Sequence, residues 1–136
     1  VKSMTVPARI DRLEAVLEFI DLELEAHNCP PKAKARLAIA AEEIFVNIAR
    51  YAYAPREGKA TIEIGVAGEP PVAVLRFLDR GTPYNPLEKA DPDITLSAED
   101  REAGGLGVFM AKKIADSIHY AYEADRNILT LTKALA

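Results

Sequence analysis

Apolar residues recur with two different periods along this chain, and the switches between them set the order of its elements. Positions 1–6 read as a short strand. After it Leu13, Val16, Leu17, Ile20 and Leu24 return every three or four residues, the spacing that puts side chains on one face of a helix. This predicts a first helix over about 8–27. Asn28, which tolerates a left-handed backbone, then Pro30 and Pro31, end that helix and begin the next. The second helix, roughly 32–52, carries Leu37, Ala41, Ile44, Phe45, Ile48 and Ala52 on one stripe, and Ile39 and Val46 extend its apolar surface. Between Leu37 and Ala49 only Glu42, Glu43 and Asn47 are polar, which predicts a helix packed on more than one side.

Period two takes over at 61–66, where Ile62, Ile64 and Val66 alternate with polar or small residues. Gly68-Glu69-Pro70-Pro71 reads as a turn, and 72–78 as the returning strand, apolar on both faces apart from Arg76 and therefore expected at the sheet centre. No period is sustained over 80–103. A loop of that length in a small domain predicts a lid or mobile segment, with room for a short helix. Gly104-Gly105-Leu106-Gly107 then opens a third helix, with Leu106, Phe109, Met110 and Ile114 facing a core, which closes near Asp116. Ile118, Tyr120 and Tyr122 alternate in a strand, 124–127 turns, and 128–133 returns antiparallel with Leu129 and Leu131 on one face. The sum is a two-layer α/β sandwich, a mixed but mostly antiparallel sheet with three helices on one face.

Composition narrows the class. A chain of 136 residues, 49% hydrophobic and 28% charged, is one domain, 1–136. It buries about 68% of its unfolded surface, enough to fold without disulfides or a structural metal. That agrees with a single cysteine, Cys29, and with two histidines, His27 and His119, that lack zinc-site spacing. Seventeen basic against 21 acidic residues leave a net charge of −4, so no electrostatic footprint for nucleic acid exists. The longest purely apolar run, 37–41, is far short of the roughly 20 residues of a membrane span, and the first residues lack an apolar signal core. The expectation is a cytoplasmic protein with no membrane partner.

Three segments carry candidate chemistry. Glu43 and Asn47, four apart on the most apolar helix, share a face one turn from each other. A buried carboxylate needs a partner to stay charged, and an amide oxygen is a neutral ligand suited to magnesium that already holds phosphate oxygens. The plain alternative is two polar residues satisfied by backbone. Asp79 ends a buried strand two residues before Gly81; its carboxylate suits an exocyclic amine, and the glycine allows a flat ligand close to the backbone, unless this is an ordinary turn. The glycines at 104, 105 and 107 free backbone N–H groups at a helix start, where the dipole is positive, although glycines also occur there for packing.

In order and spacing these segments resemble the nucleotide-binding boxes of the gyrase, heat-shock chaperone, histidine-kinase and mismatch-repair ATPase superfamily. Glu43-Ile44-Phe45-Val46-Asn47 looks like the asparagine box, Asp79-Arg80-Gly81 the first glycine box and Gly105-Leu106-Gly107 the second. The small size, the absence of a phosphoacceptor-histidine domain and Asp116 after the last box are similar to the stand-alone anti-sigma-factor serine kinases of bacteria. The resemblance implies a Bergerat-type ATP-binding fold with an ATP lid at about 80–104. It implies ATP and Mg2+ as cofactors, with Asn47 ligating the metal and Asp79 reading the adenine amine. Gly81, Gly105, Leu106 and Gly107 would let the lid and helix backbone close on the phosphates, and Glu43 would be the general base toward an incoming serine hydroxyl. Implied partners are a sigma factor held inactive and an anti-anti-sigma protein that is phosphorylated, with the kinase a homodimer. Pro83 stands where the family often has glycine, Tyr51 where a basic or imidazole group is common, and the lid arginine would be Arg101. A rival reading is a nucleotide-binding regulatory interaction module without phosphotransfer.

Overall fold

The period-two segments all join one sheet. The computed structural model describes residues 1–88 and 108–136. Within them the order is β1 (Lys2–Pro7), α1 (Leu13–Ala26), α2 (Pro31–Tyr51), β2 (Lys59–Ala67), β3 (Val72–Asp79), α3 (Phe109–Ile114), β4 (Ser117–Glu123) and β5 (Arg126–Ala134). Single 3-10 turns at Ile10–Arg12 and Pro86–Glu88 precede α1 and follow β3. The five strands lie in the order β1-β2-β3-β5-β4, and all four pairings are antiparallel. The expected two-layer α/β sandwich is therefore present, with the antiparallel arrangement extending to every described pair.

The register explains the core. Ile62, Phe77 and Leu129 stand side by side across β2, β3 and β5, and Ile64, Leu75 and Leu131 form the next row. Against these rows pack Val16, Ile20 and Leu24 of α1 and Leu37, Ala41, Ile44, Phe45 and Ile48 of α2. Removing this apolar surface from water, at about 25 cal/mol per Å², is the main force holding the two layers together.

Four expectations change, the first being Met110, expected to face the core from α3 but 39% exposed. Helix α1 starts at Leu13 rather than near Ala8 because the Ala8 N–H still donates to the Gly58 carbonyl at 2.9 Å, so the chain follows β2 past the end of β1 before it can turn. Ile39 is 47% exposed, so the apolar wrap of α2 is broken on its outer side. Strand β3 is central, as its composition predicted, yet Val74 and Arg76 are exposed, because the described helices cover one face of the sheet only. Asn28 does take the left-handed conformation, with φ 55°. Among the described residues no helix is long and apolar enough to cross a membrane.

Candidate functional site

The inward rows of the sheet end in a polar pair. Beyond Ile62, Phe77 and Leu129 the next inward row is Ala60, Asp79 and Asn127, so alternation alone carries a carboxylate and an amide to the helix side of the sheet. Both are buried. The Asn127 Nδ2 donates to Asp79 Oδ1 at 2.9 Å and to the carbonyls of Thr82 at 3.1 Å and Gly81 at 3.4 Å. Its Oδ1 accepts from the Tyr84 N–H and the Tyr120 hydroxyl. Asp79 Oδ1 also accepts the Gly81 N–H at 2.9 Å, whereas no described residue donates to Oδ2. Burial pushes the Asp79 carboxyl above the usual aspartate range, and the bonds from Asn127 and Gly81 pull it partly back.

Gly81 is required by a neighbour. A Cβ there would lie 2.1 Å from the Ala52 carbonyl oxygen at the end of α2, the same oxygen that accepts the Thr82 N–H at 2.8 Å. The loop leaving β3 therefore crosses the C-terminus of α2 in direct contact. Asn47 lies five residues before Ala52, roughly 7 Å along the helix axis, so α2 carries it toward this loop.

Glu43 and Asn47 are both half-buried, as their shared face predicts. The Glu43 carboxylate accepts the Ala111 N–H at 2.8 Å through Oε1 and the Met110 N–H at 3.1 Å through Oε2. It satisfies two first-turn donors of α3, a helix with no capping side chain of its own. Burial raises its carboxyl, and the two backbone bonds and the Lys112 cation oppose that. No described residue bonds the Asn47 side chain, and no cluster of described His, Cys, Asp or Glu could hold a metal unaided. A neutral amide with a free oxygen fits a magnesium that arrives with its own phosphate ligands.

Asp116 has a structural partner. Its carboxylate accepts the Ala134 N–H at 2.6 Å and lies 3.4 Å from Lys133 Nζ, contacts that hold it below the usual range and tie the start of β4 to the end of β5. Gly105, Leu106, Gly107, Arg101 and most of the expected lid lie outside the described residues. Asn127 is the site residue that sequence reasoning missed. The signal was available: with Leu129 and Leu131 inward, period two places a polar side chain inward at 127, where it must find a partner.

Comparison with known proteins bears on this arrangement. The family model of the histidine kinase-like ATPase domain matches residues 6–133. The chain belongs to that family. This histidine kinase-like ATPase domain is 27% identical over 96 residues to the serine/threonine-protein kinase BtrW of Bordetella bronchiseptica, covering 71% of the chain and 67% of BtrW. In fold it is similar to the crystal structure of the RsbU and RsbW domains of Rv1364c from Mycobacterium tuberculosis, with a TM-score of 0.66 at 16% identity over 99% of the chain. It spans about a third, 33%, of that larger chain. These likenesses agree with the resemblance drawn from the three boxes. As an ATPase domain, its implied ligand class is a nucleotide.

Two expectations follow from the geometry. Gly81→Ala should cost about 1–3 kcal/mol in urea unfolding, since backbone cannot yield 2.1 Å as a side chain would; unchanged stability would mean the loop does not cross α2 this closely. Because the folded Asp79 carboxyl is raised, its stabilising contribution is full below the ordinary aspartate range and is lost as pH rises through the folded pKa. Relative to Asp79→Asn, wild-type stability should therefore fall with rising pH in that window, by at most about 1.4 kcal/mol per unit. Parallel pH curves for the two proteins would contradict a raised carboxyl.

Proposed function

We propose that this domain binds ATP with magnesium between α2 and the loop leaving β3, phosphorylates a serine of an anti-anti-sigma partner and sequesters a sigma factor. One observation carries the nucleotide assignment: in a chain of this family, the buried Asp79 carboxylate has one oxygen committed to Gly81 and Asn127 and the other without a described donor. An open acceptor oxygen on a buried side chain suits an exocyclic amine. Asn47 would supply a neutral oxygen to magnesium, and Gly81 with Gly105, Leu106 and Gly107 would frame the nucleotide. When bound, magnesium neutralises charge on the phosphate oxygens.

Glu43 would act as general base. A carboxylate offers about four lone-pair sites, and two remain after Met110 and Ala111 are served. Its raised pKa moves it toward the range in which a carboxylate takes a proton effectively. The reading as a serine kinase and anti-sigma factor, working on a sigma factor and an anti-anti-sigma protein as a cytoplasmic homodimer, draws its support from the three boxes and the likeness to BtrW. The commitment of Glu43 to α3 favours the alternative, a regulatory module in which nucleotide shapes a partner surface without phosphotransfer.

The two readings separate on labelled ATP incubated with the partner protein. At 100 times its dissociation constant ATP should stabilise the wild type by about 2.7 kcal/mol, and Asp79→Asn should stay folded yet lose most of that gain. Normal ATP binding by this variant would remove Asp79 from adenine recognition. Glu43→Ala should keep the ATP-dependent stabilisation, lose about 1 kcal/mol of intrinsic stability with its cap, and transfer phosphate about 100-fold to 10,000-fold more slowly. An unchanged transfer rate would leave Glu43 as a cap alone.

A further inference from the structure

The same alternation that sends Asp79 inward sends its neighbours to the sheet face that no described helix covers. One residue beyond Ala60, Asp79 and Asn127, where the ladder of β3 has ended, come Lys59, Arg80 and Arg126, which the alternation turns toward that face. Like charges in adjacent cross-strand positions repel. None of the three is in ion-pair contact with a carboxylate among the described residues, although Glu123 stands opposite Arg126 in the β4–β5 register, and Arg76 on the same face does pair with Glu63, at 3.8 Å. All three line one pocket of about 460 Å³. Asp79 borders it too, but its Oδ1 is held on the helix side by Gly81 and Asn127.

Two further features make this a built site. Arg126 Nε is enclosed and lacks a hydrogen-bond partner, alone among buried side-chain nitrogens and oxygens of the described residues. A guanidinium N–H in that state calls for an acceptor. The Thr5 and Thr61 hydroxyls, also in the wall, share a single 2.9 Å bond, which leaves one hydroxyl proton to give. The pocket is propped open by Tyr53, whose hydroxyl donates to the Lys59 carbonyl at 2.6 Å and accepts the Arg80 N–H at 2.7 Å, bridging two backbones where their ladder ends.

We propose that this pocket is an anion site that takes a phosphate group, free or esterified to a small molecule, between Arg80, Arg126 and Lys59. Guanidinium forks and a hydroxyl donor match a phosphate's acceptor oxygens, and the Leu78 side of the pocket leaves room for a small organic substituent. The pocket adjoins the proposed nucleotide crevice, the two meeting at Asp79.

The test follows the Arg126 Nε–Hε resonance by NMR while the folded chain is titrated with inorganic phosphate, glycerol 1-phosphate, or sodium chloride at matched ionic strength. Saturable shifts with either phosphate compound, absent with chloride, are expected; the tighter of the two identifies the free or the esterified form. Arg80→Gln, at an exposed position, should fold normally and weaken the shift roughly tenfold in affinity. Arg126→Lys keeps the charge but removes the fork together with the Nε–Hε probe, so its binding is read from the backbone amide shifts of Thr61 and Arg80 and should weaken comparably. A shift that tracks ionic strength equally in all three salts, or one unaffected by Arg80→Gln, would overturn the site.

Discussion

A carboxylate buried at the end of a hydrophobic sheet face is the constraint on which the functional end of this domain depends. Burying such a group is costly unless hydrogen bonds replace its water. Asn127 and the Gly81 N–H supply them, and in doing so they join β3 to β5 and fix the loop that follows. The Asn127 amide then reaches Thr82, Tyr84 and Tyr120, so one side chain holds three segments in register. Because a partly satisfied buried network is worse than an apolar one, these bonds stand or fall together. The loop position, the closeness of Gly81 to Ala52 and the placement of the free carboxylate oxygen are all consequences of this single network.

A second organising feature is the inequality of the two sheet faces. Helices cover one face, so residues one apart on the same strand live in different solvents. Asp79 and Asn127 are closed in by the core, while Arg80 and Arg126, next to them in sequence, line one pocket. A short stretch at the ends of β3 and β5 thus presents opposite charge to opposite faces.

Much of this was legible in the residues. Helical spacing at Leu13 to Leu24 and along α2, the alternation of Ile62 and Ile64, and the left-handed Asn28 led to elements that the fold contains. What escaped the sequence has identifiable causes. The late start of α1 depends on a hydrogen bond from Ala8 to Gly58, fifty residues away, which no local pattern encodes. The β4–β5 turn was read at 124–127, but its tightness was not: only Ala124 and Asp125 form it, with positive φ, where Asn-Gly would be the readable signal. At the site, Glu43 and Asp79 were recognisable as buried acids, but their partners were not: Met110, Ala111 and Asn127 reach them across the fold. The glycine at 81 was noticed as freedom for a ligand, whereas its nearest demand comes from the Ala52 carbonyl.

The place of β5 in the sheet has a bearing on how the chain is made. It is the last strand in sequence but lies between β3 and β4, and the residue that quiets Asp79 is synthesised 48 positions after it. At roughly 5–20 residues per second, seconds pass in which β3 has emerged with one edge unpaired and its acid without Asn127. The hairpin of β2 and β3 can form early, since its pairing is local, but the sheet cannot close until translation has gone past the nucleotide boxes. A ribosome stalled before position 127 would therefore hold a chain that has every proposed ATP contact and no settled place for Asp79 among them.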